Sequence, residues 1–115
     1  MSKIPTKKII PKIKQYIEDN FTSNITLSQL LEKFLIEEQY LSRLYKLETG
    51  KNFITYLNEK RIECACSLLL NTNLSIQDIT FMCGYNDYFY FSKVFKKYKG
   101  ISPTQFREQA RKSQK

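Results

Sequence analysis

At 115 residues the chain is long enough for one domain with a sizeable core, and a hydrophobic content of 42% excludes a disordered chain. Its 19 Lys and Arg against 11 Asp and Glu give a net charge of +8, which favours a polyanionic partner. Histidine is absent, removing the usual general base and the commonest metal ligand, so neither a metal site nor a cofactor is expected.

The charge is unevenly spread. Residues 1–14 carry five Lys and no acid, residues 15–83 six bases against nine acids, and residues 84–115 eight bases against two acids. Cys64, Cys66 and Cys83 form no CxxC pair and read as buried, reduced thiols. No apolar run approaches the ~20 residues of a membrane span, and the lysine-studded start lacks the apolar core of a signal peptide. The expectation is a soluble, cytoplasmic chain with no membrane partner.

In chain order, residues 1–8 read as a basic, flexible lead segment, and the first helix is expected to start near Pro11, since proline suits a first helical turn. Ile10, Ile13, Ile17 and Phe21 give that helix a buried stripe. Thr26 to Gln29 is a capping-box pattern opening a short helix through Phe34, with Leu27, Leu30, Leu31 and Phe34 inward. A turn at Leu35 to Glu37 leads to a helix from about Glu38 to Thr49, stopped by Gly50. There Leu41, Leu44 and Tyr45 face the core, while Gln39, Ser42, Arg43 and Lys46 share the outer face.

Asn52 then caps a long helix from about Phe53 to Leu70, with Phe53, Ile54, Leu57, Ile62, Ala65, Leu68 and Leu69 making it the spine. Ser75 caps the next helix. Gly84 supplies a sharp turn, and Asp87 or Asn86 caps a helix with two unlike faces. Phe91, Val94, Phe95 and Tyr98 recur at i, i+3, i+4, i+7, and Phe89, Ser92, Lys93 and Lys96 recur on the other side. Ser102 to Gln105 starts a last short helix with Pro103 at its first position.

The result is an all-α chain of seven helices. Its expected organisation is a first helix-turn-helix subdomain over 9–52, a linker helix over 53–71, a second subdomain over 72–109 and a basic tail over 110–115. In a helix-turn-helix the second helix enters a DNA major groove. The alternative for residues 84–100 alone is an ordinary amphipathic core helix.

An internal repeat bears on that choice. Thr26, Leu27, Leu30, Leu31 and Phe34 meet Ser75, Ile76, Ile79, Thr80 and Cys83 at a constant offset, and Leu41 to Lys46 then lies over Phe91 to Lys96 at an offset one larger. Gly50 falls over Gly100 and Asn52 over Ser102. Caps, core, outer face and stops all repeat in register, which argues against accidental similarity in a seven-helix bundle. A linker of about eighteen residues is roughly 27 Å long, comparable with the ~34 Å between successive major-groove faces on one side of B-DNA.

These residues resemble the DNA-binding domain of AraC/XylS-type bacterial transcription regulators. The resemblance runs from about Ile10 to Gln109 and is carried by Tyr40 to Lys46, Glu48 to Gly50, Arg61-Ile62, Leu68 to Ile79, Gly84 to Asp87, Tyr90 to Tyr98, Gly100 to Pro103 and Phe106-Arg107. The wording of Gly50 to Leu57 is similar to the output domains of YesN-type two-component response regulators. The resemblance implies an activator domain that binds double-stranded promoter DNA with both reading helices in adjacent major grooves. It also implies RNA polymerase as a partner and an N-terminal receiver or sensor domain outside this chain.

Carried onto this sequence, the base-contact candidates are Gln39, Ser42 and Arg43 in the first unit and Tyr88, Phe89, Ser92 and Lys93 in the second. The chemistry agrees: Arg43 suits guanine, Gln39 adenine, Lys93 guanine or phosphate, and Phe89 a thymine methyl. Lys46, Lys96, Lys97, Lys99 and Arg107 are phosphate-contact candidates, and the caps Thr26 and Ser75 present helix N-termini to phosphates. The alternatives are that Phe89 folds back into the core and that Lys93 and Lys96 are merely solvated. Glu37 and Glu38 stand where phosphates approach, which keeps open a second reading, a protein-interaction module that retains the fold without sequence reading. An enzyme is not expected, because no nucleotide loop and no catalytic constellation is present.

Overall fold

The computed structural model describes residues 6–23 and 25–113, with side chains from Ile9 onward. Among them are seven helices and no strand: α1 (Thr6–Asn20), α2 (Leu27–Phe34), α3 (Glu38–Thr49), α4 (Phe53–Asn71), α5 (Ile76–Met82), α6 (Tyr88–Lys99) and α7 (Pro103–Ser113). The chain divides into two compact units. One runs from α1 through Leu57 apart from Thr22 and Ser23, and the other takes those two residues and continues from Asn58 through α7. The division therefore falls inside α4, between Leu57 and Asn58.

The core of the first unit is built from Ile9, Ile10, Ile13 and Ile17 of α1, Leu30 of α2, Leu41, Leu44 and Tyr45 of α3, and Phe53 and Leu57 of α4. Leu27, Leu31 and Phe34 pack against it half-buried, and Tyr45 meets the Phe53 and Tyr56 rings edge-on at 6.4 and 5.8 Å. α1 begins a turn earlier than Pro11 leads one to expect: Pro11 lies inside the helix, exposed. Burial of Ile9 and Ile10 extends the apolar stripe back by a turn, and that packing outweighs the one intrahelical donor that proline removes. Residues 6–8 of the expected lead segment are thus helical, while residues 1–5 lie outside the described residues.

The second core combines Ile62, Ala65 and Leu69 of α4, Ile79 of α5, Cys83 and Tyr85 of the following turn, and Phe91, Val94 and Phe95 of α6. Phe95 reaches Phe106 of α7 at 5.5 Å. Two residues expected in the α4 spine sit elsewhere: Ile54 is 47% exposed and Leu68 only half-buried. A buried row runs through Phe53, Leu57, Arg61, Ala65 and Leu69, each four residues on, with Ile62 buried beside it and Ile54 outside it. Tyr98 is likewise half-buried rather than core. α7 runs to Ser113, so residues 110–113 of the expected tail are helix, and residues 114–115 lie outside the described residues.

The three thiols are free, but only Cys83 is fully buried; Cys64 and Cys66 are half-buried. Burial pushes the Cys83 thiol well above its usual range, and a hydrogen bond with the Cys64 thiol adds to it.

Candidate nucleic-acid interface

Each unit presents one helix whose inner side is locked and whose outer side is bare. In α3 the locked side is Leu41, Leu44 and Tyr45; in α6 it is Phe91, Val94 and Phe95. All six pair at the same sequence offset. The turn before α3 is three residues, Leu35 to Glu37, and the turn before α6 is five, Cys83 to Asp87, while α5 is one residue shorter than α2. Turn and helix length together produce the single-residue change of offset.

The helix ends are set by the same devices in both units. Gly50 and Gly100 close α3 and α6 in the left-handed region, at φ 77° and 82°, and their N–H groups donate to the carbonyls of Lys46 at 2.8 Å and Lys96 at 2.7 Å. Thr26 and Gln29 form the full capping box of α2, and the Ser75 hydroxyl accepts from the Asp78 N–H at 3.0 Å. Both hydroxyls serve their own helix as acceptors, which leaves their O–H to donate outward.

At the head of α6 the Asp87 carboxylate accepts from the Phe89 N–H at 3.0 Å, so Asp87 rather than Asn86 is the cap. Gly84, at φ 98°, makes the preceding turn, and Tyr85 anchors it: its hydroxyl donates to Asn58 Oδ1 at 2.8 Å, and the Arg61 guanidinium lies 5.3 Å over its ring. Burial of Tyr85 raises its phenol well above the ordinary range. Glu37 stands at the matching position before α3 and makes no side-chain cap bond.

The candidate base-contact side chains fall as follows. Gln39, Ser42, Arg43 and also Lys46 are exposed on α3. On α6, Phe89 is 81% exposed and so does not fold back into the core, and Tyr88 packs edge-on against it at 5.5 Å. Lys93 is exposed on the following turn. Ser92 differs: it is half-buried, and its Oγ is enclosed without a hydrogen-bond partner. Lys96, Lys97 and Lys99 are exposed in the last turn of α6, where the helix dipole favours positive charge.

Arg107 has a different position from the lysines. Its Nε and both terminal nitrogens donate to the carbonyls of Leu69 at 3.2 Å, Leu74 at 2.6 Å and Thr72 at 3.2 Å. Its guanidinium clasps the α4–α5 loop, and burial, then nearby Arg111, pulls its pKa below the ordinary value. The three backbone acceptors that hold this phosphate-contact candidate lie more than thirty residues away in sequence. Arg61, which in sequence only helps to carry the resemblance, also has a structural role. It is buried on the α4 row and donates to the Ser23 carbonyl at 3.0 Å, and its place four residues from Leu57 and from Ala65 is the signal that marks it.

Two helix-turn-helix units in one chain, each with an exposed second helix, define the class as a duplicated helix-turn-helix domain. A family model for a helix-turn-helix domain matches residues 30–109. The chain belongs to this family, the AraC-type helix-turn-helix domains.

Among solved structures, the C-terminal domain of the two-component response regulator yesN from Fusobacterium nucleatum is 41% identical. The likeness covers 84% of this chain and 95% of that one, with a TM-score of 0.81. The C-terminal domain of AraT, a response regulator from Geobacillus stearothermophilus, is 38% identical over 92% of this chain and 88% of that one, with a TM-score of 0.86. The raffinose operon transcriptional regulatory protein RafR from Pediococcus pentosaceus is 34% identical over 81% of this chain. The chain spans 34% of RafR's length and 37% of that of two other curated relatives.

Proposed function

We propose that this chain binds double-stranded promoter DNA sequence-specifically and acts in transcription regulation, as an activator and as the output domain of a longer response regulator. The observation that carries the reading is the pair of exposed outer faces on α3 and α6, each fixed from behind by a buried stripe and closed by a left-handed glycine. The two helices enter adjacent major grooves. Gln39, Ser42 and Arg43 meet one half-site, and Tyr88, Phe89 and Lys93 the other, with Ser92 at its edge. Lys46, Lys96, Lys97 and Lys99 neutralise phosphates, and Thr26 and Ser75 donate to them. Arg107 is left to its loop.

The likeness to C-terminal domains of response regulators supports a receiver domain on the N-terminal side, and the RafR likeness supports a role at promoters. RNA polymerase is the further partner proposed, and the cytoplasm the compartment; among the described residues no helix is long and apolar enough to cross a membrane. The reading assigns the chain no reaction.

The test is selection from a randomised duplex library with the intact chain, at about physiological salt and with nonspecific competitor. Two enriched short motifs about one helical turn apart are expected. No enrichment would overturn the proposal and bring forward a protein-interaction module, the reading that the uncapped, exposed Glu37 and Glu38 favour.

A further inference from the structure

At the first two equivalent positions of the two reading helices the repeat sets polar side chains against aromatic ones, while one turn on the two helices carry like charge. The first position of α3 is Glu38 and of α6 Tyr88; the second is Gln39 against Phe89; one turn on, Arg43 stands against Lys93. Glu38, Gln39, Ser42 and Arg43 are all polar and, with all four exposed, can read a base only through hydrogen bonds. Gln39 and Arg43 have the bidentate geometry that fits the purine edges, adenine N6/N7 and guanine O6/N7.

At the same place α6 offers an apolar surface. Phe89 is 81% exposed and Tyr88 37%, and their rings sit edge to face at 5.5 Å with an interplanar angle of 67°. The Asp87 cap holds the Phe89 N–H at 3.0 Å, so the backbone beneath the ring is fixed. With that backbone already fixed, binding has only the side-chain rotamers to order, and the exposed ring retains its apolar area to bury. The four lysines farther along α6, Lys93, Lys96, Lys97 and Lys99, identify the occupant as part of a polyanion. In the major groove the apolar group available is the thymine 5-methyl.

Resting on the DNA-binding reading above, we infer that the two units use different codes: α3 reads purine edges through hydrogen bonds, and α6 reads thymine methyl groups through the Tyr88–Phe89 pair. The operator is then not a repeat of one word. Its two half-sites differ in chemistry, and that difference sets the direction in which the chain lies on DNA.

The test uses the intact chain and its selected site, with uracil replacing thymine in one half-site at a time, a change that removes only the methyl. Uracil in the α6 half-site is expected to weaken binding about fourfold per contacted methyl, the value of one such group withdrawn from water. Uracil in the α3 half-site leaves binding unchanged. Phe89→Ala, at an exposed position, abolishes the thymine-over-uracil preference; Gln39→Ala leaves it intact and relaxes the other motif. Equal binding of thymine and uracil sites by the wild-type chain, or selection of one motif twice, overturns the two-code inference while leaving DNA reading standing. Failure to select any motif overturns both.

Discussion

Tyr45 and Phe95 occupy equivalent places in the two units, and they differ by one hydroxyl. Both rings are fully buried, yet Tyr45 Oη has no hydrogen-bond partner. A buried, unsatisfied hydroxyl costs about 1–3 kcal/mol, so Tyr45→Phe is expected to raise the stability of the first unit by about 1 kcal/mol once a small void is allowed for, measured by chemical or thermal unfolding. Burial, reinforced by Tyr56, pushes the Tyr45 phenol far above its usual 10.0. The unfolded chain therefore loses this proton first as pH rises, and stability falls above about pH 10. Tyr45→Phe should make that fall shallower and leave neutral-pH behaviour otherwise unchanged. At this scale periodicity identified Tyr45 as core, but not whether its hydroxyl is satisfied. That depends on neighbours such as Phe53 and Tyr56, brought to it by the fold. Arg107 is the converse: its charge suggested an outward role, and its three carbonyl partners come from a loop that the local pattern does not place beside it.

Caps and stops were the most legible elements, because each is a local contract between a side chain and the backbone within three or four residues. Thr26 with Gln29, Ser75 with Asp78, Asn52 with Thr55, and Ser102 with Gln105 are all bonded as their spacing predicts. Gly50 and Gly100 were legible as stops for the same reason, and a Cβ on either would meet nothing within 4 Å. Substitution by alanine should therefore cost only the left-handed backbone penalty, about 1–2 kcal/mol, and about the same at both sites; a large difference in unfolding free energy between Gly50→Ala and Gly100→Ala would show that the two stops are not equivalent. The start of α1 was not legible from Pro11, since the packing of Ile9 and Ile10 decides it. The row Phe53, Leu57, Arg61, Ala65, Leu69 was readable only by accepting an arginine in the core.

For the molecule as a whole, charge separates the two repeats. Residues 26–50 hold three bases against four acids, whereas residues 75–100 hold four against two. The second unit is accordingly expected to supply more of the affinity and the first more of the selectivity, with Lys93→Ala costing more binding than Arg43→Ala on one site and Arg43→Ala relaxing base preference more, as salt titrations of both variants would read. The duplication was visible in sequence because caps, core and stops recur in register; periodicity also put Phe89 on the outer face, but that its ring does not fold back into the core is decided by its exposure in the fold. On the proposed reading, a single chain occupies two grooves of one duplex. Hydroxyl-radical footprinting of the selected site, with stoichiometry measured on the same complex, tests it most directly. One chain per duplex and two protected patches on one face, about 10 base pairs apart, are expected; a single patch, or two patches seen only with two chains bound, would overturn the two-groove reading.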